Sequence, residues 1–404
     1  MSTQLAASPT EAELREVVEE LAPIERGSAS SGERAAAEWI AEHLAALGCS
    51  TSIDEELVRP DPWRNLTALC AVATAAGLAG ARGWRTVPAL AALAAGVAMA
   101  DDVQNGAHLA RRATVPERPT WTVVAETGDR AADRTAVVLA HHDAAHTGVI
   151  FNPAPQREVW RRWPHLIERT DTAVPLWWPV LAGPAIAALG SLTGRGGLAR
   201  TGAAMSTLSA AAFVDIGRRP VVQGANDNLS GVACLAAVAR ALRDEPVEGV
   251  RVLLVSCGSE ETLQEGIRAF GRRRFGSLPT DSTWFVNVDT VGSPELILLE
   301  GEGPVWMEDY DDGLRELTAD CARAAGVHLR RGLRARTSTD GVIPMRAGYP
   351  TVTLASVEPW KAPSNYHWPT DTPDRLDYST VADAARLTEA VVRRLGGVGP
   401  ARTG

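Results

Sequence analysis

Apolar residues recur at helical spacing near the start of the chain and at strand-like density further on. Thr10-x-x-Glu13 has the form of a capping box, and Leu14, Val17, Val18 and Leu21 follow on one face, so a helix is predicted that stops before Pro23. Ser30-x-x-Glu33 opens a second helix, with Ala36, Ile40, Leu44 and Leu47 on one side and Gly48 as its terminator. Beyond residue 119 the pattern alternates. Apolar runs at Trp121–Ala125, Ala136–Ala140, Val250–Val255, Trp284–Val288 and Thr351–Ala355 read as strands. Helical patterns at Leu229–Leu242, Leu314–Ala325 and Val381–Leu395 follow several of them. Strands alternating with helices predict an α/β fold whose central sheet is largely parallel and covered on both faces. In such sheets functional residues collect at the carboxyl ends of strands. No internal repeat is evident.

Two stretches break the rhythm. Residues 65–81 and 86–100 contain no charged side chain, with Arg82 and Arg85 between them; residues 172–194 and 201–214 are likewise uncharged, around Arg195 and Arg200. Each stretch, 65–100 and 172–214, is predicted to be an inserted apolar helical hairpin. Only Thr172–Gly194 reaches the roughly 20 residues that span a bilayer, and Trp177 and Trp178 would suit an interfacial belt. Many positions are Ala, Gly or Thr, which equally suits a soluble helical subdomain or a dimer surface, so membrane association and oligomerisation both stay open. Arg59, Arg64, Arg157, Arg161, Arg162, Arg218 and Arg219 flank the stretches and favour a cytoplasmic catalytic domain if they insert. The second stretch lies between Asp143 and Asp227, which places it near the rim of any site those residues form.

The composition narrows the function. Of 404 residues, 45% are hydrophobic and 22% charged, an ordinary globular balance expected here to form one catalytic domain over 1–404. The net charge of −9, without basic blocks, argues against nucleic-acid binding. Five scattered cysteines, Cys49, Cys70, Cys234, Cys257 and Cys321, without a CxxC, suit a reducing compartment. Met1–Glu20 is glutamate-rich and lacks the apolar run of a signal peptide.

Five polar clusters fall at predicted strand ends or helix starts. His141-His142-Asp143 follows the run ending at Ala140; a ligand histidine there could donate its second ring N–H to Asp143. Asp227, in Gly224-Ala225-Asn226-Asp227-Asn228-Leu229-Ser230-Gly231, opens a helix and is either an N-cap or an oxygen ligand. Glu260 and Glu261 follow Gly258-Ser259; adjacent carboxylates past a buried strand need a cation, or one must keep a proton. Asp289 ends Asn287-Val288-Asp289, and Tyr366-His367 lies in the loop after the last strand. Each alone is weak. Together, two imidazoles and three carboxylates with one bridging would make two zinc sites open to water.

These motifs, AHHD, GANDNLSG, GSEE, NVDTVG and YH, with ERGSASSGERAAAEWIAEHLAALG upstream, resemble the clan MH co-catalytic zinc exopeptidases of the aminopeptidase Y/aminopeptidase S (M28-type) family. The resemblance covers about residues 10–60, 120–148 and 222–395 and omits the apolar stretches. It implies a three-layer α/β sandwich with a mixed, largely parallel sheet. It also implies a di-zinc aminopeptidase that hydrolyses the N-terminal peptide bond of a peptide. His141 and Asp289 would hold one zinc, Glu261 and His367 the other, and Asp227 would bridge. Glu260 would be the general base for a metal-bridging water, Asp143 a supporting carboxylate and Tyr366 an oxyanion donor. Cobalt or manganese would accept the same ligands. On the same fold, glutaminyl cyclases use one zinc for intramolecular acyl transfer, carboxypeptidases cleave acidic C-terminal residues, and some members only bind. Three features depart from the pattern. His142 stands where an aromatic residue is common, His146 adds an imidazole, and Gly341 follows Asp340 where relatives often have histidine. Cys257, beside the base, reads as packing.

Overall fold

The computed structural model describes residues 5–397. Helices α1 (Glu11–Leu21) and α2 (Ser31–Ala46) lead into strand β1 (Ser50–Val58), followed by α3 (Pro62–Ala81), α4 (Thr86–Val103) and α5 (Leu109–Thr114). Strands β2 (Arg118–Gly128) and β3 (Thr135–His141) precede α6 (Ala154–Arg162), α7 (Pro164–Glu168), α8 (Trp177–Leu192), α9 (Gly196–Ile216) and α10 (Ser230–Asp244). Next come β4 (Arg251–Cys257), α11 (Glu265–Arg274), β5 (Thr283–Val288), β6 (Glu295–Glu302), β7 (Glu308–Asp309) and α12 (Asp312–Ala325). The chain closes with β8 (Arg330–Ala335), α13 (Val342–Arg346), β9 (Thr351–Val357) and α14 (Tyr378–Gly397). All five predicted strands are present. Of the single-domain range 1–404, residues 1–4 and 398–404 lie outside the described residues.

The strands form one mixed sheet in the order β1-β2-β4-β3-β5-β9-β6-β7, with β8 beside β6. Its centre is parallel: β3 pairs β4 and β5, and β5 pairs β9, all in the same direction. β3 is buried at every position because helices cover both faces. Ala136, Val138 and Ala140 face a core shared with α1, α2, α10 and α14, while Val137 and Leu139 face Phe270 of α11. Two-sided burial removes the alternation of polar and apolar residues that a half-exposed strand shows. The parallel centre also brings the carboxyl ends of β3, β4, β5 and β9 to one edge, where His141, Glu260, Asp289 and the His367 loop emerge.

The two uncharged stretches meet in one body. Short turns at 82–85 and 193–195 pair α3 with α4 and α8 with α9, and α3 also packs on α9 and α4 on α8, which closes a four-helix unit. Its interior is built from small residues: Ala73, Ala76, Gly77, Ala92, Ala187, Gly190, Ala199, Gly202 and Ala203 are buried. A Cβ on Gly202 would strike the backbone of Ala187, and one on Gly190 the backbone of Ala199. Gly202→Val should therefore destabilise the four-helix unit by about 3 kcal/mol or more, because backbone cannot yield as a side chain can. Thermal unfolding of the variant against wild type measures this, and an unchanged midpoint would contradict the packing.

Candidate metal centre

Of the six predicted ligand and base positions, His141, Glu261, Asp289 and His367 gather around Asp227, and Glu260 groups with His141 and Glu261. Asp227 Oδ1 lies 3.1 Å from His141 Nε2, and its Oδ2 lies 3.2 Å from His367 Nε2. Glu261 Oε2 is 3.1 Å from the same His367 nitrogen, and Glu260 Oε2 is 4.0 Å from His141 Nε2. Side-chain donors of His141, Asp227 and Asp289 form one compact group, and those of Asp227, Glu261 and His367 form a second. Asp227 belongs to both. It is not a helix N-cap: α10 starts three residues later without a side-chain cap.

The surrounding residues aim these donors. Asp143 accepts the Glu260 N–H at 3.0 Å, the Glu261 N–H at 3.1 Å and the Ser28 hydroxyl at 2.6 Å, and its Oδ1 is 3.4 Å from His141 Nδ1. Its carboxylate thus fixes both glutamates of the loop after β4, and its main-chain carbonyl, 3.2 Å from His141 Nδ1, orients the imidazole. Asp371 accepts the Asn226 and Asp227 N–H groups at 2.7 and 3.2 Å. Asn228 Oδ1 receives the Thr290 N–H at 3.1 Å, which ties the Asp227 loop to the Asp289 strand end. Gln264 Nε2 donates to Glu260 Oε1 at 2.6 Å.

Glu33 has the largest unforeseen role. Its position fits a helix-start acidic residue, but the side chain is fully buried and receives the Ala29, Trp121 and Ser259 N–H groups and the Thr120 and Ser259 hydroxyls. It joins α2, β2 and the loop carrying Glu260. Backbone strain needs such support. Ser259, Thr290 and His367 adopt left-handed φ angles of 53°, 53° and 49°, each at or beside a residue of the cluster. Such conformations cost about 1–3 kcal/mol apiece in non-glycine residues and persist where surrounding bonds fix them.

Burial decides the electrostatics. It pushes the Glu260 carboxyl well above the usual range, Asp289 up to about 7 and Glu261 upward, and the neighbouring carboxylates add to it. Burial works against the charge on Asp227 as well, but the His141 and His367 imidazoles outweigh it and hold Asp227 below the normal range. In return, against their own burial, Glu260 keeps His141 charged, and Glu261 with Asp227 keeps His367 charged up to about 10. The cluster thus demands positive charge at its centre. His141 Nε2, although 3.1 Å from Asp227 Oδ1, and Glu261 Oε1 are buried without a well-formed hydrogen bond among the described residues, and a bound cation would take the place of the imidazolium charge and leave both atoms as donors. Imidazole and carboxylate donors at this spacing fit zinc.

The remaining candidates separate. Tyr366 stacks on His367 with ring centroids 3.8 Å apart, and burial beside Asp227 keeps its phenol protonated. His142 is buried away from the donor groups, with Nδ1 3.0 Å from Ser256 Oγ, and burial lowers it to about 4. His146 Nδ1 meets the Arg219 carbonyl at 2.6 Å and belongs to neither donor group. Burial holds the Cys257 thiol well above its ordinary value, so it is no thiolate nucleophile. Asp340 is fully buried and pushed up to about 8 by burial, and Gly341 lies against Tyr310 and Thr353.

Two consequences are measurable. Glu33→Ala leaves five buried donors without an acceptor and should cost about 2–4 kcal/mol in thermal unfolding, with a fall in turnover because the Glu260 loop loses its tether; wild-type stability would refute the role. Glu265, at the start of α11, accepts His108 Nδ1 at 2.7 Å and lies 3.7 Å from Arg111. Burial raises its carboxyl, but these partners outweigh burial and hold it at about 2. A carboxyl lowered on folding stabilises above its unfolded value near 4.5 and loses that contribution as pH falls toward 2. The contribution is up to about 3 kcal/mol, so Glu265→Gln should flatten the acid limb of the stability–pH curve.

Residues 206–392 match the family model for peptidase family M28. That span holds Asp227, Glu260, Glu261, Asp289, Tyr366 and His367, and His141 and Asp143 precede it. No curated protein matches the sequence. Solved structures share the fold. An aminopeptidase from Aneurinibacillus sp. strain AM-1 is 14% identical with a TM-score of 0.54, covering 95% of this chain and 93% of that one. A zinc aminopeptidase from Bacillus subtilis is 14% identical with a TM-score of 0.56, covering 96% of each. A glutaminyl cyclase from Bacteroides thetaiotaomicron is 12% identical with a TM-score of 0.58, covering 96% of this chain and 99% of that one. Residues 206–392 thus carry the sequence match to peptidase family M28, and the whole chain shares its fold with these aminopeptidases and this cyclase, which together support a hydrolytic metallopeptidase.

Proposed function

We propose that the protein is a di-zinc aminopeptidase that removes the N-terminal residue of a peptide. The observation that carries this reading is Asp227, with one carboxylate oxygen beside His141 and the other beside His367. His141, Asp227 and Asp289 would hold one zinc, and Asp227, Glu261 and His367 the other. When bound, the two ions supply Lewis acidity that lowers the pKa of water and polarises the scissile carbonyl.

The chain's own residues supply the proton traffic. Glu260 reaches into the cluster and groups with His141 and Glu261 rather than with Asp227; with positive charge bound at the centre its carboxyl would ionise and could take a proton from water and return it to the leaving amine. Gln264 and Asp143 position it, the first through Oε1 and the second through its backbone N–H. Tyr366 keeps its phenol O–H beside His367 and is the candidate donor to the developing oxyanion. Burial of the whole set excludes bulk water and strengthens each interaction.

A glutaminyl cyclase shares the fold, and one-zinc acyl transfer, which the family resemblance brings with it, is the competing reading. Metal content separates the two: about two zinc per chain supports hydrolysis, and about one supports cyclisation. Glu260→Gln should lower kcat by roughly 10²–10⁴ on aminoacyl substrates while metal content stays at two. Turnover at the wild-type rate would overturn the base assignment, and activity unaffected by a chelator would overturn the metal.

A further inference from the structure

We infer that the unit formed by α3, α4, α8 and α9 is embedded lengthwise in a lipid bilayer and anchors the catalytic domain there. Four observations support this, none of which involves the catalytic site. The first is which residues face outward. A helix on a soluble protein buries an apolar stripe and turns a charged face to water. Here, beyond a base packed with Leu66, Met99, Val103, Phe213 and Ile216, the order is reversed in size: toward the far turns Ala, Gly and Ser fill the interior, while Val72, Leu78, Val87, Leu90, Leu93, Val97, Leu189, Leu192 and Leu208 are exposed. Small residues inside and large aliphatic residues outside is the arrangement of helices that pack in lipid, where association depends on close backbone approach and burial of apolar area contributes little.

The second is the length of the uncharged band. The charge-free stretches run 14–23 residues, or about 21–26 Å for the helical parts at 1.5 Å per residue, somewhat under the ~30 Å hydrocarbon thickness of a bilayer. Helix α4 is long and apolar enough to cross a membrane by itself, and α8 is a shorter apolar helix. The third is how hydroxyls are satisfied. Exposed Thr193, Thr201 and Thr207 donate to carbonyls four residues back in the chain, at Leu189, Gly197 and Ala203, and buried Ser191 donates to Ala187. Internal pairing of this kind is needed where no water is available.

The fourth is the marking at both ends of the band. Trp84 is exposed at the far turn together with Arg82, Arg85, Arg195 and Arg200. At the near end lie Trp63, Trp177 and Trp178, the first two stacked on Phe213. Tryptophan at two levels and arginines at headgroup depth match the two interfaces of a bilayer. Both hairpins return to the catalytic side. Seven flanking arginines there, against four at the far turns, place the catalytic domain on the cytoplasmic face.

The test uses the full chain reconstituted into vesicles of phosphatidylcholine and phosphatidylglycerol at three to one. Embedding predicts that the protein floats with the vesicles and stays with them through 1 M salt and through alkaline carbonate. Release by salt would reduce the contact to the surface and overturn embedding. Protein that is monodisperse without detergent and fails to float would also overturn it, and a concentration-dependent dimer would assign the apolar face to a second copy. Leu90→Lys, Leu93→Lys and Val97→Lys together, all outward, should lower the retained fraction about tenfold while bound zinc reports an intact catalytic domain. Trp306→Lys, equally exposed but outside the unit, should leave retention unchanged. The wild-type wash decides the question even where the triple variant fails to fold.

Discussion

Four carboxylates, Asp227, Glu260, Glu261 and Asp289, are removed from water within a few ångströms of one another. Desolvating each costs several kcal/mol even after relaxation, and mutual repulsion adds to that. Only positive charge at the centre offsets the sum. Asp227 is where this requirement is met most directly, because its two oxygens address two imidazoles on opposite sides. The parallel centre of the sheet exists, functionally, to deliver those groups to one edge.

Holding such a cluster needs a second layer of buried polar groups. Asp143 binds the backbone of both glutamates, Asp371 binds the backbone of the Asp227 loop, and Glu33 gathers five donors from three elements. Glu33 also holds Ser259, and Asn228 Oδ1 holds Thr290, in left-handed backbone. The site is therefore stiff before any substrate arrives, which is the condition for electrostatic preorganisation.

The apolar four-helix unit is joined to this machinery at its base. Asn105, just past α4, donates to Gln264 Oε1 at 2.6 Å, and Gln264 holds Glu260. Phe151 packs with the helices' core and meets the His367 ring edge-on at 4.6 Å. A displacement at the foot of the helices thus has two short routes to the site, one through hydrogen bonds to Glu260 and one through aromatic contact to His367.

What the sequence by itself determined was local. The strands β2, β3, β4, β5 and β9, the caps at Thr10 and Ser30 and the positions of the polar clusters were all legible, because hydrophobic period, capping chemistry and motif spacing act over a few residues. Glu33 was not: a glutamate three residues past an N-cap has an ordinary local role, and only folding brings Thr120 and Ser259, 87 and 226 positions away, onto its oxygens. Gln264 and Asp371 were missed for the same reason. The apolar stretches were visible as two segments, but their union into one unit with small residues inward and leucines outward depends on contacts between α3 and α9 that no periodicity encodes. Short-range patterns specify elements. Which buried charge meets which partner is decided by chain crossings hundreds of residues apart, and that is where the chemistry resides.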